Sequence, residues 1–250
     1  MNYPPLDTLL ALKRPGLATA LSEPMALPAS QALSVAERLG LLVDREMTAR
    51  SDRRLTTRLR QATWRLSASL EAIDSRHPRG LDQAVRARLA TCQWVRAPHN
   101  VFITGPTGMG KTWRSGALGH QACRAGATVL DLRWPRLLQA RPLAKGDGRY
   151  PKRMASLAKP ALLILDDWGL ASLSDENRRD VLALLEDRHG RSATLVTSQL
   201  PGEHWHEALG NPTLADAILE RLLHNAYKIT LRGDSRRKRH AVVKHDVPAT

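Results

Sequence analysis

The sequence predicts an α/β fold in which a parallel sheet is flanked by helices, preceded by a small all-helical region. Short apolar runs alternate with helix-compatible stretches from about residue 100 onward, a pattern typical of strands joined by crossover helices. Strands of such a sheet are buried on both faces and therefore read as continuous apolar runs. The predicted strands are Val101–Thr104, Thr128–Leu132, Ala161–Leu165 and Ala193–Thr197.

The composition of the 250-residue chain is globular and strongly basic. Hydrophobic residues make up 42 %, and 38 Lys and Arg against 24 Asp and Glu give a net charge of +14. A surface of this charge attracts polyanions, of which nucleic acid is the commonest in the cytoplasm. Because aromatic residues amount to only 4 %, contact with a duplex backbone is favoured over base stacking on a single strand.

Several classes of protein are disfavoured by the same sequence. The longest apolar run is too short to cross a bilayer, and the N-terminus lacks the basic and apolar regions of a signal peptide. We therefore expect a cytoplasmic protein with no membrane contact. Cys92 and Cys123 form no CxxC pair, and the nine histidines contain no HxxxH pair, so neither a disulfide framework nor a zinc site is expected.

Residues 1–76 are predicted to form a helical N-terminal domain that binds DNA or a partner. Leu6–Leu12 fits one short helix between prolines. Ser34 and Glu37 have the spacing of a capping box, which predicts a helix that begins there and reaches about Leu70.

A basic face is predicted on this long helix. Arg50, Arg54 and Arg58 recur every four residues and so share one face, which Arg53 widens. Like charges at this spacing repel one another, so we favour a surface that binds DNA or a partner over a merely solvated face.

Two further segments follow the helical region. The sequence HPRG at residues 77–80 breaks the helical pattern, so residues 77–230 are predicted to form the α/β core, which opens with a helix over Asp82–Ala97. Residues 231–250 form a basic C-terminal tail with six basic and two acidic residues. Such a tail either touches phosphates or is a solvated chain end.

A phosphate-binding loop is predicted between the first strand and a helix-compatible stretch from Trp113 to Ala125. Residues 105–112 read GPTGMGKT, which matches the pattern GxxxxGK[ST] in its required strand–loop–helix context. Glycines allow backbone N–H groups to surround phosphate, the lysine reaches the β- and γ-phosphates of ATP, and the threonine ligates Mg²⁺. The residues expected to bind the nucleotide are Gly105, Pro106, Thr107, Gly108, Met109, Gly110, Lys111 and Thr112.

Two acids follow the third predicted strand. Parallel sheets bind ligands at the carboxyl ends of their strands, so Asp166 is expected to hold Mg²⁺ and Asp167 to orient or deprotonate the attacking water. A polar turn after a strand is the alternative. Gln199 follows the fourth strand and is a candidate for contact with the γ-phosphate or the water.

These motifs resemble a known family, the IstB-like transposition helper ATPases, which belong to the AAA+ class and are relatives of DnaC-like helicase loaders. The resemblance is carried by the loop GPTGMGKT, the strand LLILDDWG, the tail GDSRRK and, above all, the segment TSQLPGEHWHEALGNPTLADAILERLLHNAY. It implies a Mg²⁺-dependent ATPase that assembles with ATP into homo-oligomers on duplex DNA, remodels that DNA and assists a partner transposase.

The resemblance also implies roles for individual residues. Gln199 matches the sensor I position, and Arg221 matches an arginine finger that reaches the nucleotide of a neighbouring subunit. The residues alone favour a different interpretation, in which Arg221 is a helix-surface cation paired with Glu220 or Asp216. Arg237 matches a basic residue of the tail that serves as sensor II or as a DNA contact.

Three alternative functions share the phosphate-binding loop. A helicase loader would use the same nucleotide residues with a different partner. A small-molecule phosphotransferase would need an acceptor pocket, which the basic excess and the paired aspartates disfavour. A DNA-binding protein that uses ATP only as a structural clip would have no need of two acids after the third strand.

Overall fold

The computed structural model describes residues 4–22, 33–64, 66, 68–71, 82–139 and 150–233. The contacts between Cα atoms divide the chain into two units, residues 1–57 and residues 58–250. The domain boundary predicted near residue 77 lies outside the described residues and stays a prediction. Among the described helices, none is both long enough and apolar enough to span a membrane.

The first unit consists of helices α1 (Pro4–Ala11) and α2 (Pro15–Ser22) and most of helix α3 (Val35–Gln61). The short helix predicted over Leu6–Leu12 is thus confirmed. Helix α2 approaches α3 closely at Gly16, where an added Cβ would lie 2.7 Å from the Cα of Glu46. The backbone N–H of Leu17 also donates to Glu46 Oε2 at 3.2 Å.

Helix α3 begins as predicted but ends early. The backbone N–H of Ser34 donates to Glu37 Oε2 at 2.8 Å and that of Glu37 donates to Ser34 Oγ at 3.3 Å, so the capping box is confirmed. The predicted extension to about Leu70 is wrong, because Thr63 has a φ of +58°. The chain turns there to bond an extended segment, since the Asp131 N–H donates to the carbonyl of Ala62 at 3.0 Å.

The second unit contains a five-stranded parallel sheet with the order β2-β3-β4-β1-β5. The four predicted strands are present, and a fifth was missed. This fifth strand pairs at the edge of the sheet and has an alternating rather than a continuous apolar pattern, which explains the miss. The strands are β1 (Asn100–Thr104), β2 (Val129–Arg133), β3 (Leu162–Trp168), β4 (Ala193–Ser198) and β5 (Ala226–Thr230).

Helices cover both faces of this sheet. The predicted single helix over Asp82–Ala97 is wrong, because Cys92 adopts a φ of +56° and separates two helices. The helices of this unit are α4 (Gln83–Ala90), α5 (Gln93–Arg96), α6 (Lys111–Arg124), α7 (Trp134–Gln139), α8 (Tyr150–Ala158), α9 (Asp175–Arg188), α10 (Trp205–Leu209) and α11 (Pro212–Leu223).

Strand β3 explains why the apolar run Ala161–Leu165 correctly predicted a strand that is buried on both faces. Successive side chains of a strand point to opposite faces. Ile164 faces α6, where an added Cβ on Gly119 would lie 2.7 Å from its Cδ1. Leu163 and Leu165 belong instead to the core cluster that includes Trp168, Leu184 of α9 and Ile218 of α11. Both faces of the strand are buried, so its residues Leu162–Leu165 are all apolar.

Candidate nucleotide-binding site

The loop of residues 105–110 connects β1 to α6 at the carboxyl edge of the sheet. Gly105 has a φ of +145°, and an added Cβ would lie 2.6 Å from the carbonyl oxygen of Leu231, so only glycine fits. Gly110, with a φ of +82°, is the residue that precedes α6. The free N–H groups at the start of α6 therefore open toward the loop, where they attract anions.

Lys111 lies folded into this loop. Its Nζ donates to the carbonyl oxygens of Gly105 at 2.6 Å and of Pro106 at 2.9 Å. Only 7 % of the residue is exposed. Burial lowers the pKa of Lys111, and the nearby carboxylates of Asp167 and Asp166 oppose that shift. The amino group of Lys111 thus lies at the mouth of the loop, where a phosphate chain would compete with the two carbonyls for it.

The structure brings Thr112 and Asp166 together. Thr112 Oγ1 lies 3.1 Å from each carboxylate oxygen of Asp166 and donates a hydrogen bond to this carboxylate. Asp166 is 1 % exposed. A hydroxyl beside a carboxylate is the hard-oxygen donor set that Mg²⁺ uses when phosphate and water complete its shell. No group of three His, Cys, Asp or Glu side chains suited to a metal occurs among the described residues, so these residues fit a nucleotide-associated Mg²⁺ rather than an all-protein cage.

Asp167 occupies an irregularity in strand β3. The register against β4 shifts between Leu165 and Trp168, and Asp167 has a φ of +62°. Left-handed backbone at a non-glycine residue costs about 1 kcal/mol and is tolerated best by Asn and Asp. The bulge turns the carboxylate toward β2, where Asp167 Oδ2 accepts from Nε of Arg133 at 2.8 Å.

Gln199 lies next to the phosphate-binding loop. Its Oε1 accepts a hydrogen bond from Thr107 Oγ1 at 2.5 Å. Because β4 lies between β3 and β1 in the sheet, the residue after β4 falls between the two acids and the loop. The structure thus brings Gln199 into contact with the loop, while its contact with phosphate or water stays a prediction.

Three side chains of this site were not singled out from the sequence. Thr197 Oγ1 donates to Asp166 Oδ1 at 2.5 Å and accepts from the backbone N–H of Asp167 at 3.3 Å, so it positions both acids. Arg133 binds Asp167, and buried Arg114 donates to the carbonyl of Met109 at 2.6 Å. The rule that ligands bind at carboxyl ends of strands points to Arg133 and Thr197, whereas no sequence pattern marks Arg114.

Arg221 lies far along the chain from this loop, on α11. Its Nη2 donates to Glu186 Oε1 at 2.9 Å and its Nη1 to the carbonyl of Ala217 at 2.9 Å, with Glu220 at 4.0 Å. Asp216 pairs instead with His206. Within one chain Arg221 thus makes an ion pair, and its main partner is Glu186 rather than the two acids weighed from the sequence. Arg237 lies outside the described residues.

The four arginines predicted to bind DNA have different surroundings. Arg50 pairs with Glu46 at 2.7 Å and Arg53 lies 3.7 Å from the same carboxylate. Arg54 is exposed. Arg58 donates from Nη1 to the carbonyl of Gly126 at 3.1 Å. Contact of these residues with DNA stays a prediction.

Comparison with known proteins connects this geometry to a family. A family model described as IstB-like ATP binding protein matches residues 7–243. The insertion sequence ATP-binding protein y4pL of Sinorhizobium fredii is 50 % identical over 238 residues, which cover 95 % of this chain and 97 % of that protein.

Solved structures show the same fold. The structure of DnaI has a TM-score of 0.57 at 23 % identity and covers 68 % of this chain and 90 % of that chain. The DnaC helicase loader has a TM-score of 0.52 at 19 % identity and covers 66 % of this chain and 97 % of that chain. The fold is that of a P-loop NTPase core of the AAA+ class, as the sequence predicts.

Proposed function

Since the chain belongs to the family of IstB-like ATP-binding proteins, we propose that it is a Mg²⁺-dependent ATPase that assembles on duplex DNA as a homo-oligomer, remodels that DNA and assists a partner transposase in the cytoplasm. The observation that carries the proposal is the junction of Thr112, Asp166 and Thr197, which joins the phosphate-binding loop to the acids of β3.

Nucleotide binding is proposed for residues 105–112. In this assignment the loop backbone and Lys111 hold the β- and γ-phosphates, while Thr112 and Asp166 hold Mg²⁺. When bound, Mg²⁺ neutralises the charge of the phosphates. Lys111 exchanges its two carbonyl partners for phosphate oxygens, which form stronger, charge-assisted hydrogen bonds.

Hydrolysis is proposed to depend on Asp167 and Gln199. Asp167 accepts the proton of the attacking water, and Gln199 positions that water or the γ-phosphate. In the free chain Arg133 holds the Asp167 carboxylate at 2.8 Å. Because Arg133 occupies a carboxylate oxygen of Asp167, turnover is proposed to require that Arg133 releases this oxygen. Arg133 is half exposed, so a polyanion has access to it.

Assembly is proposed to supply the remaining catalytic group. Arg221 acts on the nucleotide of a neighbouring subunit, an arrangement that makes hydrolysis depend on oligomerisation. Duplex DNA is the template, favoured by the net charge of +14. Arg50, Arg53, Arg54 and Arg58 in the region before residue 77, and Arg237 in the tail after residue 230, are proposed contributors to DNA or nucleotide contact.

A helicase loader is the second candidate function. The fold likeness to DnaI and DnaC favours it, and the nucleotide residues would be the same. The names of the sequence relatives, which refer to insertion sequences, favour transposition. Pull-down of the full chain against a transposase and against a replicative helicase separates the two partners.

The proposed function is tested by sedimentation of the full chain with duplex DNA in three conditions, without nucleotide, with ADP and with ATP. We expect large complexes only when ATP and DNA are both present. Lys111→Ala protein is the control and stays small in every condition. Small species of the wild-type chain in all three conditions would reject an ATP-gated assembly factor.

A further inference from the structure

A second buried cation lies against the phosphate-binding loop, three residues after Lys111 on helix α6. Arg114 is only 6 % exposed, and its Nη1 donates to the backbone carbonyl of Met109 at 2.6 Å. Its own backbone N–H donates to the carbonyl of Gly110 at 3.0 Å. Arg114 therefore binds two successive carbonyls of the loop, one through its side chain and one through its backbone.

The first turn of α6 thus carries two cations that bind carbonyls of the loop. Lys111 Nζ contacts the carbonyls of Gly105 and Pro106 at the start of the loop. Arg114 contacts the carbonyl of Met109 near the end of the loop. The proposed function gives Lys111 to the phosphates but assigns no role to Arg114. Because a buried charge is costly to desolvate, its contact with the loop calls for a functional reason.

The hydrogen bond from Arg114 sets the orientation of the peptide group between Met109 and Gly110. This peptide bond is trans, and in a trans peptide the C=O and the following N–H point in opposite directions. The buried guanidinium holds the carbonyl of Met109 on the side of the protein interior. The N–H of Gly110 therefore points away from the interior, toward the open side of the loop.

The backbone on either side of Met109 has the geometry of an anion-binding nest. Gly108 has a φ of +83° and Gly110 a φ of +82°, whereas the φ of Met109 is not positive. Such alternation directs successive N–H groups to one side of the chain and makes a concave site for an anion. Within the described part of the chain the N–H of Gly110 donates to no other group, so this donor is left for a ligand.

The glycine at position 110 makes a restraint on this peptide necessary. A flip of the peptide changes only ψ of Met109 and φ of Gly110, and glycine accepts φ of either sign. Met109 is 1 % exposed, and its packed side chain stays in place during such a flip. The flipped peptide would present a carbonyl oxygen, which repels phosphate. A hydrogen bond from a guanidinium is stronger than a neutral one, so Arg114 favours the orientation that presents the N–H.

We propose that Arg114 is a positioning residue that aims the N–H of Gly110 at the phosphates of the bound nucleotide. It acts through the carbonyl of Met109 and does not itself contact the nucleotide. This role rests on the proposed nucleotide site and adds to it a residue that the site does not otherwise use. Because the backbone of such a loop surrounds phosphates that ATP and ADP share, Arg114 should matter equally for both nucleotides.

The first test is nucleotide binding by full-length Arg114→Met protein, which loses the donors and keeps a long unbranched side chain. Equilibrium dialysis should show about tenfold weaker binding of both ATP and ADP, as expected for the loss of one well-placed hydrogen bond to a charged group. The rate of hydrolysis at saturating ATP and DNA should stay within about twofold of the wild type, because only binding of the shared phosphates is weakened. Urea unfolding shows whether the variant is folded.

Arg114→Lys is the conservative variant, since it keeps the buried charge and one donor group. It should show an affinity between those of the wild type and Arg114→Met, and it replaces that variant where the apolar side chain prevents folding. Arg124→Met is the matched control, because the side chain of Arg124 is 50 % exposed on the same helix and pairs with Glu71 at 3.3 Å. It removes the same charge and should leave nucleotide binding unchanged.

The second test observes the peptide group itself by NMR. Met109 and Gly110 form the only Met-Gly pair in the sequence. Isotope labels at methionine carbonyls and glycine nitrogens therefore give a single amide signal next to a labelled carbonyl. We expect ADP to shift this signal in the wild type and in Arg124→Met. In Arg114→Met the signal should lie at a different position before ADP is added, because the peptide is no longer held.

The outcomes separate this role from the nucleotide site on which it rests. If the wild type and Arg114→Met bind ATP and ADP equally well, Arg114 does not position the loop, although the nucleotide site stands. Weaker binding with an unchanged Gly110 signal, or equal weakening by Arg124→Met, would also overturn the positioning role. A wild-type chain that binds neither nucleotide would remove the nucleotide site and the role of Arg114 together.

Discussion

The two ends of the parallel strands differ in what they carry. At the carboxyl ends, Lys111 lies close to Asp166 and Asp167, so charges of both signs surround the phosphate-binding loop. At the amino ends, a pocket is lined by cationic or polar side chains that include His99, Arg188, His189, Arg221 and His224, and Glu186 beside this lining pairs with Arg221 at 2.9 Å. The first end carries the residues proposed to hold a nucleotide and Mg²⁺. The second presents cationic side chains, one of which, Arg221, is paired with a carboxylate of its own chain.

This difference indicates a division of labour. In the proposed function, a chain binds its own nucleotide at the carboxyl ends of the strands, and Arg221 at the other end acts on the nucleotide of another subunit. Strand β1 runs from Asn100, which anchors the last turn of α11, to Thr104, which precedes the loop. The two ends are therefore joined by one strand of five residues.

The largest effect is expected for Lys111→Ala. The variant removes the cation that the loop holds for phosphate, and loss of charge-assisted hydrogen bonds should weaken ATP binding by about 100-fold or more, roughly 2.7 kcal/mol. Equilibrium binding of a fluorescent ATP analogue measures it, with the exposed Lys159→Ala as control. Tight binding by Lys111→Ala would remove the loop from the nucleotide site and with it the contrast between the two ends.

Asp167→Asn should leave ATP binding intact and slow hydrolysis. An amide cannot accept the proton of the attacking water, and removal of a general base typically costs about 10²–10⁴-fold in rate. Single-turnover hydrolysis in the presence of DNA measures the effect, and the variant should stay on DNA longer than the wild type. Asp187→Asn, an exposed acid on α9, is the control. Turnover at the wild-type rate would exclude Asp167 from the mechanism.

Asn100→Ala tests whether Asn100, at the amino end of β1, anchors the last turn of α11. The change leaves the N–H of Thr194 and the carbonyls of Arg221 and Leu222 without their partner. Unsatisfied buried groups cost about 1–3 kcal/mol, so the free energy of unfolding measured with urea should fall by that amount. Gln93→Ala, at an exposed residue of α5, should change it little. Equal stability of the two variants would show that Asn100 does not anchor α11.

Arg133→Ala is expected to have the smallest effect, and in the opposite direction. A partly exposed ion pair is worth up to about 1 kcal/mol, so freeing Asp167 should raise the rate of DNA-independent hydrolysis by up to about fivefold. A steady-state phosphate-release assay measures it, with the exposed Arg136→Ala as control. A fall in the rate would mean that Arg133 orients Asp167 for catalysis instead of restraining it.

The site at the carboxyl ends was largely predictable from the sequence, because its motif is local. Lys111 and Thr112 belong to the continuous motif GPTGMGKT, and Asp166 directly follows a run of four apolar residues. Each of these local patterns predicts a structure and the chemistry that goes with it. Arg133 and Thr197 were missed because they become neighbours of the acids only through the strand order β2-β3-β4. Pairing order in a parallel sheet depends on crossovers that leave no local pattern.

The pocket at the amino ends of the strands was not predictable either, because its residues also become neighbours only in the folded chain. Arg188 reads as a surface cation at the end of a helix, yet it is buried among carbonyls of distant segments. The end of α3 was misplaced because the backbone N–H of Asp131, 69 residues away in the sequence, donates to the carbonyl of Ala62 where the helical pattern would otherwise continue. Strand β5 escaped because edge strands are only half buried.

The most direct test of this division of labour is a mixing experiment with two inactive variants. Lys111→Ala protein lacks the nucleotide end and Arg221→Ala protein lacks the cation of the other end. We expect each variant alone to show no DNA-stimulated ATP hydrolysis and the mixture to regain it, because Lys111→Ala subunits supply Arg221 to nucleotide bound by Arg221→Ala subunits. A mixture that stays inactive, although both variants are folded and Arg221→Ala binds ATP, would contradict action of Arg221 on a neighbouring subunit.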